Sequence, residues 1–363
     1  MKITFPHLGN SYIAAKTLFD GLDIDYVIPP MGNKEALKVG SFYSPEEMCL
    51  PFKIMMGNYI ESIKQGADTV ILTGSCGPCR YGEYCELQMK ILKKIGHDIK
   101  FIVVDSPGDI GIHEFLNRLS IISTSSYKKT ITKLKSVALA YKAIKLIDYI
   151  EERARFLAGY EEINGECKRI LINCRKDSLN CKTPEEMIRH LKIYERLIDS
   201  VRINKNRNPI KVYIMGEIYT ILEPFANLYI EDKLMDYGVS TQKGLTPSWW
   251  VKDTVLKAVN LNSIDIKKAS KNYLPYYVGG HAKECIGEAL LAQREGFDGA
   301  IQIYPVGCMP EIVSKSILPS ISKDKAFPIM SLVVDEMTGE AGYITRIEAF
   351  IDLLERRKNK CII

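Results

Sequence analysis

The run Gly74–Cys85, GSCGPCRYGEYC, gathers three cysteines, three glycines and a proline in twelve residues, directly after the apolar run DTVILT. Three thiols in a tight loop at the end of a buried strand can hold a metal, cycle as a redox pair or close a disulfide. The chain carries ten cysteines and opens on MKITFPHLGN, which has no long apolar segment. Neither a signal peptide nor a spanning helix is expected there. A reducing cytoplasm is the expected compartment, and there clustered cysteines more often bind metal or do redox chemistry than staple a fold.

The rest of the composition is that of an ordinary globular protein. The chain has 363 residues, 46% hydrophobic and 26% charged, with a formal charge of +5. The lysines are scattered with no basic block standing out, so no nucleic-acid partner is expected, and no membrane association either. Cys361 stands third from the end in KCII, where a prenylation signal needs it fourth.

The elements that must position the cysteines alternate in kind. KITF, DYVIPP, DTVILT and KFIVVDS read as strands. Between them lie helical stretches: one capped at Asn10 or Ser11, one opened by Ser44 and Pro45 and stopped at Gly66, and one through EYCELQMKILKKIG. This alternation predicts a parallel sheet covered on both faces. From about Gly111 to Arg207 the period turns helical, with one helix through KKTITKLKSVALAYKAIKLIDYIEERARFLAGY and another opened by Thr183 and Pro184. Alternation then resumes with strand KVYIMG, helices over YTILEPFANLYIEDKLMDYG and LTPSWWVKDTVLKAVN, the run YYVGG, and strands DGAIQIYP and PIMSLVVDE.

KQGADTVILT (64–73) aligns with REGFDGAIQI (294–303), and IVVD ending at Asp105 with LVVD ending at Asp335, both at an offset of 230. The expected fold is therefore α/β, with two flavodoxin- or Rossmann-like parallel-sheet lobes related by internal duplication and joined by a helical connector. The expected domains are an N-terminal α/β lobe with the cysteine loop (1–110), a helical connector (111–207) and a C-terminal α/β lobe (208–363).

Ligands of open parallel sheets bind outside the carboxyl ends of the strands. The loops of Cys76, Cys79 and Cys308 follow such strands, and Cys49 lies near a helix start, at the same edge. If the two lobes face each other, the four thiols converge. Helix N-termini stabilise thiolates through their free N–H groups and partial positive charge. Four thiolates suit zinc or an iron–sulfur cluster. Ligands spread over two lobes suit a cluster at an interface better than a stapling zinc.

The runs CLPFK, GSCGPCRYGEYC, GEIYTILEP, PVGCMPE and DEMTGEAG resemble the 2-hydroxyacyl-CoA dehydratase component and activase-related superfamily, relatives of double-cubane-cluster proteins. The resemblance spans nearly the whole chain. It implies an oxygen-sensitive iron–sulfur protein with flavodoxin-like lobes, reduced by a separate ATP-hydrolysing activator that carries its own cluster. Cys49, Cys76, Cys79 and Cys308 match the family's cysteine positions, with Cys85 as a fifth candidate. A single [4Fe–4S] cluster is expected over an [8Fe–9S] double cubane, which needs further thiolates from Cys285 or the connector. A homodimer follows by family analogy. True dehydratases remove a hydroxyl from an acyl-CoA through a ketyl radical. That reaction is not assigned here, and the motifs name no substrate. Whether the chain is a catalyst or an electron carrier stays open.

Other readings remain for the same residues. Cys76 and Cys79 suit a dithiol oxidoreductase, and the cysteines as a group suit a non-catalytic zinc-stabilised scaffold or binding protein. Cys49, Cys308, Cys85 and Cys285 also suit buried core thiols. Cys167, Cys174 and Cys181, spaced by seven, are expected to line one packing face of a helix. His7 and His281 read as structural, and Glu217 as a cleft residue or a helix cap. The chain contains no GxxxxGK[ST] loop, no GxGxxG after a strand, no HExxH and no GxSxG. Any dependence on ATP is therefore expected to come from a partner.

Overall fold

The computed structural model describes residues 1–74, 79–105, 107–257 and 261–360. They form two compact units. The first comprises Met1–Ile150, Ile172–Arg196 and Thr246–Asn262, and the second Glu151–Leu171, Leu197–Leu245 and Ser263–Ile363. The segment 111–207 thus contributes to both units. No helix among the described residues is long and apolar enough to cross a membrane.

The first unit opens with β1 (Ile3–Thr4), α1 (Ser11–Leu22), α2 (Lys34–Tyr43), α3 (Leu50–Lys64), β2 (Thr69–Thr73), α4 (Tyr84–Lys94) and β3 (Lys100–Val104). Its three strands are parallel, in the order β1-β2-β3. The expected strand DYVIPP reduces to one parallel bridge between Tyr26 and Ile3. The helix expected from Ser44 begins instead at Leu50, after a turn, and places Cys49 at its N-cap. Every residue of α3 from Leu50 to Ile60 is buried, Lys53 and Asn58 included, as for a helix surrounded by core. It packs on α2, an element the periodicity did not indicate, through Gly57. A Cβ there would overlap the carbonyl oxygen of Ala36. Gly66, at φ +91°, ends α3 in a conformation that glycine adopts without strain. Next come α5 (Pro107–Ile110) and α6 (Ile112–Thr124).

The helices α7 (Thr130–Leu157), α8 (Glu166–Ser178) and α9 (Pro184–Asp199) each cross from one unit's residues to the other's. Cys167 and Cys174 are fully buried on α8, which agrees with a packing role, while Cys181 lies buried just past its end.

The second unit holds β4 (Lys211–Gly216), α10 (Ile218–Leu222), α11 (Ile230–Asp236) and β5 (Ser240–Lys243). The single helix expected over 219–238 is broken in two. Pro224 cannot donate a helical bond, and Leu228 and Tyr229 both take positive φ. The helix α12 (Pro247–Lys257) belongs to the first unit. Then follow α13 (Ile264–Ser270), α14 (Ala282–Arg294), β6 (Gly299–Pro305), α15 (Met309–Asp324), β7 (Ile329–Val334) and α16 (Glu340–Lys360). The four strands are parallel, in the order β5-β4-β6-β7. YYVGG forms no strand; Gly279 and Gly280 both take positive φ there.

Both sheets are pinned by the same device. Asp68 Oδ1 accepts the Lys2 backbone N–H at 2.9 Å, and Asp298 Oδ2 accepts that of Lys211 at 2.8 Å. Each aspartate stands just before its central strand and ties it to the neighbouring strand.

Candidate functional site

In the first unit the polypeptide leaves β2 at Gly74 and is described again from Cys79. Cys76 lies outside the described residues. Gly74 makes room for its neighbour: a Cβ there would push aside the carboxylate of Asp105, which follows β3. Asp105 is itself held by Arg118 on α6, whose Nη1 also donates to the Val103 carbonyl at 3.0 Å. Two strand ends are thus drawn together at the carboxyl edge of the sheet.

Cys79 is the N-cap of a short 3₁₀ turn, Arg80–Glu83, that runs into α4. This turn lies against the start of α3. Arg80 donates to the Glu47 carbonyl, and the Cys49 thiol meets the Tyr84 hydroxyl at 2.5 Å. Tyr84 packs edge-on against Phe52, with ring centroids 5.0 Å apart, and beside Tyr81, whose hydroxyl bonds to Thr73 at 2.8 Å. The structure therefore brings Cys49 to the turn that carries Cys79. Cys85 is half-buried on the first turn of α4. Burial pushes its thiol up to about 11, and the negative charge of Asp105 adds to the effect. Lys53, buried one turn into α3, donates to the Glu46 carbonyl at 3.2 Å.

In the second unit Cys308 follows β6 and is the N-cap of α15; it is buried. It stands one residue before a Met–Pro pair, as Cys49 stands before Leu–Pro. In both, proline occupies the first turn, where no helical N–H bond is lost. This repeated Cys-x-Pro helix start is a signal the motif reading passed over.

Behind α15 lies a buried polar chain that the sequence reading missed. Gln302 Nε2 donates to Glu311 Oε2 at 2.8 Å, and Ser331 donates to Gln302 Oε1 at 2.8 Å, with the Cys285 thiol near the Glu311 carboxylate. Glu311 is fully buried, and burial pushes its carboxyl up to about 8. Burial, and after it the charges of Glu284 and Glu311, hold the Glu288 carboxyl well above the usual range. Cys285 thus belongs to the core, with its thiol raised by burial and then by the two acids.

Glu217 caps α10, accepting the backbone N–H groups of Tyr219 at 2.9 Å and Thr220 at 2.8 Å. His7 is buried and stacks on Tyr12, and His281 is the N-cap of α14. Among the described residues no group of three or more His, Cys, Asp or Glu side chains is arranged to hold a metal ion.

These features define an α/β protein with two parallel sheets, each bearing cysteine at the carboxyl edge of its strands. The sequence matches no protein-family model. No curated protein matches it either.

Proposed function

We propose that this protein holds an iron–sulfur cluster and serves as a low-potential electron-transfer or reductase protein of the 2-hydroxyacyl-CoA dehydratase-component type. A single [4Fe–4S] cluster is favoured over an [8Fe–9S] double cubane. The observation that carries this reading is the placement of the thiols. Cys49, Cys79 and Cys308 are all N-cap residues, two of them in Cys-x-Pro helix starts. Unpaired N–H groups and the positive end of a helix favour thiolate and an anionic cluster at that position. Cys49, Cys76, Cys79 and Cys308 would hold the cluster, with Cys85 as a fifth candidate. When bound, such a cluster supplies one-electron transfer at low potential. Arg80 adds positive charge, and Tyr84 supplies a hydroxyl to the Cys49 sulfur.

We further infer that the two units arose by duplication. The offset of 230 seen in the sequence recurs in the packing. Gly57 lies on Ala36, and Gly287 lies on Ile266. Gly66 and Gly296 both end helices at positive φ. In this reading the loops after β2 and β6 are counterparts, and both units contribute ligands. The electron donor is a separate ATP-hydrolysing iron–sulfur activator, the assembly a homodimer and the compartment the cytoplasm.

Anaerobic purification tests the reading. Brown protein with broad absorbance near ~400 nm, about four irons and four sulfides per chain, and a paramagnetic signal on reduction would support it. Colourless protein with about one zinc per chain would replace it with a zinc-stabilised scaffold. Metal-free protein with a reversible Cys76–Cys79 disulfide would make it a dithiol oxidoreductase.

A further inference from the structure

We propose that the solvent-facing ridge of α7 in the first unit is a docking surface for an acidic amphipathic helix of a partner protein. The helix is apolar on two opposite sides. Ser136, Ala140, Ala143, Ile144 and Ile147 form its buried side. On the other side Tyr127, just before the helix, leads into Ile131, Leu134, Ala138 and Tyr141, all exposed. Ile131 is 82% exposed and Leu134 66%. The spacing alternates four and three, which is the seam of a coiled coil. Val137, 55% exposed, borders this seam on the flank opposite Lys135 and Lys142.

Charge names the occupant. Phe115–Ile147 contains seven lysines and arginines and no acid. Lys128, Lys135 and Lys142 recur every seven residues along one flank of the seam. Lys128 pairs with Asp23 at 3.1 Å and Lys135 with Glu185 at 2.5 Å, and all four side chains are exposed. Such exposed pairs are weak and can exchange partners. Lys145 lies over the Tyr141 ring.

A second copy of this chain does not complement the ridge. Antiparallel pairing sets the flanking lysines against each other. Parallel pairing sets Lys135 opposite Thr130 and Lys142 opposite Val137. Neither arrangement offers a carboxylate, whereas a helix with apolar seam positions and Glu or Asp on its flanks meets both requirements. The inference does not depend on a cluster being bound.

The test uses the full chain and two fluorescent 21-residue helical peptides with leucine at the seam positions. One carries glutamate on both flanks and the other lysine. Anisotropy should show binding of the glutamate peptide that weakens as salt rises from about 50 to about 500 mM, over which the Debye length shrinks to roughly a third, and no comparable binding of the lysine peptide. Leu134→Glu should weaken binding about tenfold or more. Lys142→Glu, at an exposed position, should weaken it severalfold while leaving the thermal midpoint unchanged. Equal binding of both peptides, or no binding of either, would overturn the proposal. So would a wild-type dimer that Leu134→Glu dissociates, or anionic phosphatidylglycerol vesicles that bind the wild type and not the variant.

Discussion

The helix pair before the cysteine loop and the pair before Cys308 meet the same packing problem with different residues. In the first unit α2 crosses α3 at two glycines. A Cβ at Gly57 would overlap the Ala36 carbonyl oxygen, and one at Gly40 the Lys53 carbonyl oxygen. In the second unit α13 crosses α14 at one glycine, and the clash is softer. A Cβ at Gly287 would come within 2.7 Å of Ile266 Cγ2 and 2.8 Å of its carbonyl oxygen. Where the first pair has Gly40, the second has Ser270, fully buried. The first pair is therefore the closer backbone approach, and it directly positions Cys49, one residue ahead of α3. The second unit buries two carboxyls on its helices, Glu288 on α14 and Glu311 on α15.

The largest expected difference is in cluster loading. Cys79→Ala and Cys308→Ala should each reduce iron from about four per chain to below about one, because loss of one thiolate opens a four-thiolate site. Full iron in Cys308→Ala, measured on anaerobic protein, would confine the site to the first unit and end the equivalence of the two loops.

Next comes the packing itself. Gly57→Ala drives a methyl into backbone and should cost about 3 kcal/mol or more. Gly287→Ala meets an Ile266 methyl, which can turn away, and the Ile266 carbonyl oxygen at 2.8 Å, a milder overlap than at Gly57, and should cost about 2 kcal/mol. Urea unfolding of the two variants compares them directly. Equal losses would mean that the two helix pairs approach equally closely.

Much of this was legible in advance. The alternation of short β-branched runs with capped helices identified parallel α/β architecture, and the density of cysteine and glycine in residues 74–85 marked one strand end. The failures have physical causes. The strand β5, Ser240–Lys243, reads STQK and carries no apolar signal, yet Ser240 and Thr241 are fully buried by pairing with β4. Ser44 and Pro45 imitated a helix start, while the true one was the less familiar Cys-Leu-Pro. The acids Glu288 and Glu311 lie on helices whose pattern offers no hint that a carboxylate faces inward. Only the packed structure shows that burial.

Those acids give the second unit a pH response. Folding raises the carboxyl of Glu311 from the model-peptide value near ~4.5 to about 8, mainly through burial, and raises that of Glu288 as well. The folded state then binds more protons than the unfolded one. Stability from these groups is full below about pH 4.5 and is lost as pH rises towards about 8. The groups facing Glu288 are Glu284 and Glu311, with Tyr213 beside it. Neither carboxylate oxygen of Glu288 has a hydrogen-bond partner among the described residues. Glu288→Gln removes the ionisation and should raise stability at pH 8 by about 1 kcal/mol, with little change at pH 5. Urea midpoints at the two pH values measure this. An unchanged slope between pH 5 and 8 would place the pH response elsewhere.

The smallest effect distinguishes the two helix starts. Asn33 caps α2 from an extended backbone, its side chain accepting the Ala36 N–H at 2.9 Å. At the matching place in the second unit Ser263 precedes α13 with φ +47°, and its side chain makes no capping bond. The first residue contributes a hydrogen bond and the second holds a conformation that costs a non-glycine side chain energy. Asn33→Ala should therefore lose about 1 kcal/mol. Ser263→Gly should lose less than Asn33→Ala, because relief of the left-handed backbone offsets part of the cost of removing the side chain. The difference between the two losses is the informative quantity. If Ser263→Gly destabilises as much as Asn33→Ala, the serine supports its helix through its side chain after all, and the two starts differ in shape alone.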